Sequence, residues 1–338
     1  MIRAFLIILV LGVAAVGAYA YTDYQRYLQT PISSTDTADA DITFVIERGW
    51  SAKRVAIELE NLGIIDKRYW FDLYARLSKK ASGIKTGEYV IPAGLTVPEL
   101  FDTFIQGQTI QYSHTIIEGS NWKQMIARVS QSEELTHTLG DLSALSEESL
   151  MELLGFPGLH PEGQFFADTY AFPRGTTDVE YLVRAKQAMD RILAEEWEQR
   201  ADNLPLKTPY EALILASIIE KETAVAAERP LIAGVFISRL NKNMRLQTDP
   251  TVIYGIGDDF DGNIRRKDLN TDTPYNTYTR SGLPPTPIAM VGREAINAAL
   301  QPESTTALYF VSKGNGTHQF SDTLEQHNAA VRKYQLNR

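Results

Sequence analysis

Two glutamates, two positions apart, stand at the end of a long apolar stretch of this chain. They are Glu220 and Glu222 in LASIIEKETA, residues 215–224. If this stretch is a helix, the negative end of its dipole and burial against the core both oppose ionisation of a carboxyl group in the last turn. A glutamic acid that keeps its proton near neutral pH can act as a general acid. The simpler alternative is that the helix reaches the surface here and that both carboxylates are solvated.

The start of this predicted helix is well marked. Thr208 can cap it, Pro209 suits the first turn, and Glu211 can reach back to the cap. The residues that follow are apolar on nearly every side, which predicts a buried helix. The helical phase leaves the choice of acid open. Glu222 shares a face with large apolar residues, which favours burial, whereas Glu220 shares a face with smaller residues that leave space for a ligand.

Polar groups of other kinds follow the predicted helix. RLQTDPTVIYG (245–255) and TPYNTYTRSGLPPTPIA (273–289) interleave amides and hydroxyls with aromatic rings, a combination that sugar-binding grooves use for hydrogen bonds and ring stacking. Ordinary polar loops are the alternative for both segments. GNGTHQF (314–320) predicts a glycine-rich hairpin and not a phosphate loop, since no Lys-Ser or Lys-Thr pair follows. His318 and His327 lack a metal-ligand spacing, which favours structural or hydrogen-bonding roles.

The N-terminus predicts a membrane anchor. No charged residue occurs at positions 4–21, which is the short end of the length for a membrane-spanning helix. We predict an anchor at residues 1–21 in preference to a cleaved signal peptide, although AYA at 18–20 resembles a cleavage site. Positive charge stays on the cytoplasmic side, and the flank beyond the anchor is acidic, with only Arg26 in compensation. The remainder of the chain is therefore predicted to be exported, with the N-terminus in the cytoplasm.

The expected fold class is α+β. Residues 22–41 contain a polar stretch of small side chains and are predicted to be a linker. Residues 42–109 are predicted to form a small α+β module in the order strand, helix, helix, strand, helix, with a capping box at TVPE (96–99). The first four of these elements are typical of a LysM-like carbohydrate-binding module. Residues 110–338 are predicted to form a larger, mixed α+β catalytic domain.

Within the larger domain the elements are less sharply marked. A strand that turns at Glu118–Gly119 is predicted at 115–122, and helices follow to about Leu154. The aromatic-rich segment 161–172 is predicted to be a loop, and a long charged helix is predicted from about 178 to 200. The densest group of polar motifs begins after that helix, at Thr208.

Composition narrows the function further. The chain of 338 residues carries a net charge of -9, which argues against a nucleic-acid-binding surface. It contains no cysteine, which excludes disulfides, a thiol nucleophile and a zinc–thiolate site. The apolar fraction of 44% is that of a globular protein with a substantial core.

The order of the motifs resembles that of a known family. IIEGSNW, EGQFFADTY, ASIIEKET, MRLQTDPTVIYG, PYNTY, GLPPTPIA and YFVSKGNGTHQF occur in this sequence along nearly the whole chain. Together they are similar to the endolytic murein transglycosylase family, the MltG/YceG-like proteins. Two positions depart from the family pattern: Thr286 stands where a glycine is usual, and Ala167 where a proline is usual.

The resemblance implies an activity. The family cleaves nascent peptidoglycan glycan strands and acts as a terminase of their elongation, in the bacterial periplasm and anchored in the inner membrane by a single span. The reaction breaks the β-1,4 bond between N-acetylmuramic acid and N-acetylglucosamine, and the muramyl C6 hydroxyl closes on C1 as a 1,6-anhydro ring. One carboxyl acts first as acid and then as base, so no second carboxylate and no cofactor are required. Association with peptidoglycan synthases is a further expectation.

The resemblance also assigns roles to residues of this chain. It places the catalytic acid at Glu220. Side chains of the two polar segments are expected to position the substrate, namely Gln247, Asp249, Tyr254, Asn276 and Tyr278. Glu222 and Arg229 are expected to orient the acid or to hold the local structure. No metal site is expected.

Three other functions remain open at this point. A hydrolytic muramidase would use Asp249 as its second carboxylate, because ordinary glycosidases act through a pair of carboxyl groups. A non-catalytic cell-wall-binding scaffold could be built on the LysM-like module. A pyridoxal-phosphate lyase is the third alternative, and the predicted export of the chain argues against it.

Overall fold

The computed structural model describes residues 2–32 and 41–336. The chain divides into two compact units. The first unit consists of the residues up to Tyr112 and of two short segments, Glu134–Thr136 and Ala171–Thr176. The second unit consists of the remaining residues. The sequence predicted a boundary after residue 109, and the division falls after Tyr112. The fold is mixed α+β, as the element pattern predicted.

Helix α1 spans Ile2–Gln29, and its apolar stretch, none of which is buried in the protein, is long enough to cross a membrane. The helix continues past residue 22, where the predicted linker begins. The helix continues because its polar end packs against the rest of the first unit. The Asp23 carboxylate accepts hydrogen bonds from the Lys67 Nζ at 2.7 Å and the Trp70 Nε1 at 2.9 Å. Residues 33–40 of the predicted linker lie outside the described residues.

The module in the first unit follows the predicted order. It consists of β1 (Ile42–Ile46), α2 (Ala52–Asn61), α3 (Arg68–Leu77), β2 (Gly87–Ile91) and α4 (Val97–Gln106). The two strands pair antiparallel, with Phe44 opposite Tyr89. The predicted capping box at Thr96 and Glu99 is present at the start of α4. Buried aromatic side chains fill the space between strands and helices, including Phe71, Phe101 and Phe104.

Strands β3 (Gln111–Thr115) and β4 (Thr169–Pro173) pair with each other, and the division between the units passes through both. The bounds of the strand predicted at 115–122 are therefore wrong, because the extended segment ends at Thr115, whereas the turn predicted at Glu118–Gly119 is present. Gly119 has a left-handed φ of 73°, and Asn121 caps the next helix, so the chain cannot continue in an extended form. The prediction of a loop at 161–172 is wrong over the residues that form β4.

Four helices form the core of the second unit. They are α7 (Asp178–Glu198), α8 (Pro209–Glu222), α9 (Arg229–Asn241) and α12 (Arg293–Leu300). Helix α8 packs against the other three. Its residues from Ala212 to Ile219 are all buried, which confirms the prediction of a buried helix. Thr208 caps it as predicted, whereas the Glu211 carboxylate accepts from the Lys207 backbone N–H instead of from the cap.

Shorter elements surround this core. They are α5 (Trp122–Val129), α6 (Glu147–Leu153), α10 (Asp249–Ile256), α11 (Arg266–Asn270), β5 (Tyr309–Ser312), β6 (His318–Ser321) and α13 (Leu324–Val331). The predicted hairpin at 314–320 is confirmed as the turn between β5 and β6. Helix α10 was not predicted, because at eight residues it is too short to show a helical period.

Candidate active site

The two glutamates of α8 face different surroundings. Residues two positions apart in an α-helix point to nearly opposite sides, since each residue turns the helix by about 100°. The carboxyl of Glu220 therefore meets α9 and the start of α12, and that of Glu222 meets the segment before α10. The two carboxyl groups therefore differ in their hydrogen-bond partners and in the space beside them for a substrate.

The Glu220 carboxylate is held in an ion-pair cluster. Its side chain is 5% exposed and accepts hydrogen bonds from Arg229 Nη2 at 3.3 Å and from the Gly292 N–H at 3.3 Å. The same Arg229 nitrogen lies 3.9 Å from Glu118 Oε2, and the other terminal nitrogen pairs with Glu294. Burial and the nearby Glu118 raise the pKa of Glu220, and Arg229 lowers it. The predicted supporting role of Arg229 therefore has a physical basis.

The Glu222 carboxyl, in contrast, lines a cavity. The cavity has a volume of about 490 Å³ and is also lined by three of the predicted substrate-positioning residues: Gln247, Asp249 and Tyr278. Glu222 Oε2 accepts a hydrogen bond from Thr248 Oγ1 at 2.7 Å. Burial raises the pKa of Glu222, while the Thr248 hydroxyl and His318 act in the opposite direction. Glu222 thus combines a raised pKa with access to a space for a ligand, and Glu220 does not line this cavity.

The walls of the Glu222 cavity are held rigidly. The Tyr278 hydroxyl donates to Asp249 Oδ1 at 2.6 Å. Gln247 has a left-handed φ of 51°, a conformation that is uncommon for residues other than glycine and that concentrates at functional sites. Arg239 donates to the carbonyl oxygens of Leu246 at 2.8 Å and Leu308 at 2.6 Å, and so ties the segment before α10 to the segment before β5.

Asn276 has a different position from the one its predicted role requires. The residue is 1% exposed, and its amide nitrogen donates to the carbonyl oxygens of Asp268, Leu269 and Thr271. Its side-chain oxygen accepts the N–H of Tyr278. These bonds occupy the whole amide group, so Asn276 braces the loop that presents Tyr278. A direct contact with substrate, as the sequence predicted, is not supported by this geometry.

Tyr254 lines a second cavity, of about 690 Å³, around Glu162. Its hydroxyl donates to Glu162 Oε2 at 2.9 Å, and the Trp122 N–H donates to Glu162 Oε1 at 3.1 Å. Glu162 is completely buried, and this burial raises its pKa to about 8. The ring of Tyr275 packs edge-on against Tyr254, with the ring centroids 4.8 Å apart. The structure thus separates Tyr254 from the residues around Glu222.

The sequence analysis missed several polar residues at these sites, including Glu118, Glu162 and Arg239. Each lies in a segment whose partners are distant along the chain. The available signal was a charged residue in an otherwise apolar or aromatic context, as for Glu162 in EGQFF and Arg239 in AGVFISRL. Charged residues are rarely buried unless they are paired. An apolar context can therefore identify a charged residue as a candidate for a buried pair, but it cannot identify the partner.

The two departures from the family pattern have local explanations. Thr286 Oγ1 donates to the Pro287 carbonyl oxygen and lies 2.9 Å from the Tyr275 hydroxyl, so its side chain supports the turn near the Glu162 cavity. Ala167 is buried, and its N–H donates to the Val291 carbonyl oxygen at 3.2 Å, a bond that proline could not make.

His318 and His327 both line the cavity around Glu222. His318 Nδ1 lies 2.8 Å from Glu228 Oε2, and the ring of His327 stacks on Tyr309. Within residues 2–32 and 41–336, no three His, Cys, Asp or Glu side chains are grouped so that they could hold a metal ion. The two histidines therefore have the hydrogen-bonding and packing contacts that the sequence favoured.

Comparison with protein families decides the family of this chain. The family model described as the YceG-like family matches residues 44–333, which include most of both units. The chain belongs to the YceG-like family. The membership confirms the resemblance that the ordered motifs indicated.

The YceG-like chain is also similar to characterised relatives along most of its length. The endolytic murein transglycosylase of Bacillus subtilis (strain 168) is 32% identical over 92% of this chain and 89% of its own length. That of Streptococcus pneumoniae (strain D39) is 27% identical over 98% of this chain and 65% of its own length. A 2.6 Å crystal structure of a YceG-like protein from Listeria monocytogenes has a TM-score of 0.52 and 28% identity, covering 86% of this chain and 99% of that one.

Replacement of Glu162 in the YceG-like chain is expected to change how stability depends on pH. The folded-state pKa of Glu162 is about 8, above the ordinary value of 4.5, so folding favours its protonated form. The contribution of Glu162 to the free energy of unfolding is fully present below pH 4.5 and is lost as the pH rises to about 8. We expect E162Q to remove this loss, which is on the order of 5 kcal/mol at about 1.4 kcal/mol per pKa unit.

The measurement is the free energy of unfolding of wild type and E162Q at pH 5 and pH 9. The Y254F variant is the matched control, because it removes the hydroxyl bond and keeps the ionisable carboxyl. Y254F should retain the pH dependence. An equal pH dependence in wild type and E162Q would show that Glu162 does not titrate as described.

Proposed function

We propose that this protein is an endolytic peptidoglycan lytic transglycosylase whose acid is Glu222. One observation carries this proposal: the Glu222 carboxyl lines a 490 Å³ cavity together with Gln247, Asp249 and Tyr278. The names of the relatives from Bacillus subtilis and Streptococcus pneumoniae support the reaction class. The sequence and the resemblance favoured Glu220, and that assignment stays a prediction; we prefer Glu222 because Glu220 is engaged by Arg229 and Gly292 and does not line this cavity.

The reaction follows from one carboxyl group. The protonated Glu222 gives its proton to the glycosidic oxygen between N-acetylmuramic acid and N-acetylglucosamine, and the C1–O bond breaks. The Glu222 carboxylate then accepts the proton of the muramyl C6 hydroxyl, and that oxygen forms the new bond to C1. The product ends in a 1,6-anhydro ring, and Glu222 regains its proton. A raised pKa suits the first step, in which the carboxyl must be protonated.

The other cavity residues have supporting parts in this proposal. The amide of Gln247 and the phenol of Tyr278 are suited to hydrogen bonds with sugar hydroxyl or acetamido groups. Thr248 orients the carboxyl through its 2.7 Å hydrogen bond. The role of Glu220 is then to fix the last turn of α8 through Arg229.

A hydrolytic muramidase is the second candidate, and one observation favours it. Asp249 lines the same cavity as Glu222, so two carboxyl groups are available to one substrate. A hydrolase would use the second carboxylate as nucleophile or to activate water. The Tyr278 hydroxyl bound to Asp249 argues for a positioning role instead.

The two candidates differ in their products. Purified glycan strands are digested with the full-length protein in water enriched in oxygen-18, and the new ends are analysed by mass spectrometry. A transglycosylase gives 1,6-anhydromuramyl ends without the isotope. Reducing ends that carry one labelled oxygen would establish the hydrolase and contradict our proposal, and the absence of any cleavage would favour a non-catalytic scaffold.

The location of the enzyme is part of the proposal. Helix α1 can cross a membrane by length and composition, and the acidic flank after it favours a cytoplasmic N-terminus. We therefore propose that the protein is a single-pass protein of the bacterial inner membrane, with the chain that follows the apolar stretch of α1 in the periplasm. There it would end the elongation of nascent glycan strands, in association with peptidoglycan synthases.

The module of the first unit is proposed to be LysM-like. Its support is the order β1, α2, α3, β2 with antiparallel pairing of the two strands. A LysM-like module would bind glycan chains and so raise the local concentration of substrate at the catalytic unit.

A further inference from the structure

A cleft of about 290 Å³ lies beside the end of α1 in the first unit. Its walls come from the last turns of α1 and from the turn between α2 and α3, and they contain two cations, Arg26 and Lys67. Lys67 is paired with Asp23, whereas no salt bridge of Arg26 occurs within residues 2–32 and 41–336. The cleft also contains two carboxylates, Asp23 and Asp66, so it has no net charge, and its groups match both charges of a zwitterionic ligand.

A buried hydroxyl at this cleft has no partner. Tyr27 lines the cleft and is 6% exposed. Its hydroxyl oxygen makes no hydrogen bond with any described residue. A buried polar group without a partner is unfavourable, and a polar ligand in the cleft would supply the missing hydrogen bond.

The position of the cleft along α1 identifies the kind of ligand. The apolar stretch of the helix ends at Tyr21, and Tyr27 is about 9 Å further along the axis at 1.5 Å per residue. The headgroup layer of a bilayer is roughly 5–8 Å thick on each side of the hydrocarbon core. If α1 spans the membrane, the cleft residues Asp23 and Arg26, about 3 and 8 Å beyond Tyr21, lie within the headgroup layer, and Tyr27 lies at its outer edge.

Aromatic side chains mark the same level. Trp70 contacts Tyr24 and Tyr69, with ring centroids 5.2 and 4.9 Å away, and Tyr69 is 57% exposed. Tyrosine and tryptophan are enriched at membrane interfaces, where their rings lie among the headgroups. These rings are suited to hold the edge of the first unit at the bilayer surface.

We propose that this cleft binds the phosphate headgroup of one membrane phospholipid. Arg26 and Lys67 neutralise the phosphodiester, and the Tyr27 hydroxyl donates a hydrogen bond to one of its oxygens. Asp66, which also lines the cleft, can accept from an ethanolamine ammonium group. The proposal rests on the proposed anchor, because only a membrane-spanning α1 brings the cleft to this depth.

The experiment uses the full-length protein in nanodiscs of phosphatidylethanolamine and phosphatidylglycerol, released for native mass spectrometry. Wild type should retain one phospholipid per chain. R26Q and Y27F should each reduce the retained fraction about tenfold. R68Q is the matched control: Arg68 is an exposed cation next to Lys67 and pairs with Glu60 outside the cleft, so R68Q should retain the lipid.

Each other outcome overturns the proposal. Equal lipid retention by wild type, R26Q and Y27F would place the lipid elsewhere. A more stable Y27F with unchanged retention would show that its hydroxyl is merely unsatisfied. Inorganic phosphate that binds detergent-solubilised wild type and displaces the phospholipid would indicate a site for free phosphate. Flotation of the protein with vesicles is measured in parallel. A protein that does not float overturns both the proposed membrane anchor and the proposed lipid site. A protein that floats but retains no lipid overturns the lipid site alone.

Discussion

The E222Q variant is expected to lose about a thousandfold in the rate of glycan-strand cleavage while it remains folded. Glutamine keeps the size of the side chain and can accept the Thr248 hydrogen bond, but it has no proton to give to the leaving oxygen. General acids contribute about 10²–10⁴ to enzymatic rates, and the proposed mechanism uses this carboxyl in both of its steps. The measurement is the initial rate of product formation, with folding checked by thermal unfolding.

The E220Q variant is the matched control for this prediction. Glutamine at position 220 can accept one of the two hydrogen bonds, from Arg229 or from Gly292, through its single oxygen, and Arg229 keeps Glu118 and Glu294 as ionic partners. We expect E220Q to lose less than about tenfold in rate. If E220Q is inactive and E222Q is active, the acid is Glu220 and the assignment from the cavity is wrong.

Replacement of Arg229 by alanine is expected to lower the free energy of unfolding by about 3 kcal/mol at pH 8. The guanidinium is buried and balances the buried carboxylate of Glu220, with Glu118 close by. Without the cation, Glu220 keeps its burial and the repulsion from Glu118, so its pKa rises further above 4.5. The destabilisation should therefore be smaller at pH 5, where this carboxyl can take up a proton on folding.

Urea unfolding of the full-length protein in detergent, at both pH values, tests this prediction. The double variant E220Q/R229M is the control, because it removes both buried charges and leaves only Glu118 and Glu294, which are exposed to solvent, without their cation. It should recover most of the lost stability, since replacing both members of a buried pair is often nearly neutral. A loss in R229A that is the same at pH 5 and pH 8 would mean that Glu220 is not the group left unpaired.

Much of the fold could be predicted from local sequence. The capping box at Thr96 and the cap at Thr208 are short-range signals, and the apolar length of α8 predicted its burial. Helix α10 and strands β3 and β4 could not be predicted in this way. Their formation depends on pairing and packing with segments that are distant along the chain, which override weak local preferences.

The candidate site, like the fold, could be predicted only in part, because its contacts join segments that are distant along the chain. The sequence identified the pair of glutamates and the face that each occupies on α8, and it left the burial and space arguments in conflict. The local sequence could not decide which glutamate is the acid. The hydrogen-bond partners of Glu220 come from α9 and from Gly292, and the partner of Glu222 comes from the segment before α10. The resemblance to the family narrowed the search to this turn of the helix.

Glu222 as a protonated acid can be tested most directly by comparing two titrations of the same protein. One is the NMR titration of the carbon-13-labelled Glu222 carboxyl, assigned by its absence from E222Q, and the other is the pH dependence of glycan-strand cleavage. We predict that both give one common pKa above the ordinary 4.5, with cleavage lost as the pH rises through that value. A Glu222 carboxyl that is already ionised at a pH where cleavage is maximal would contradict this mechanism.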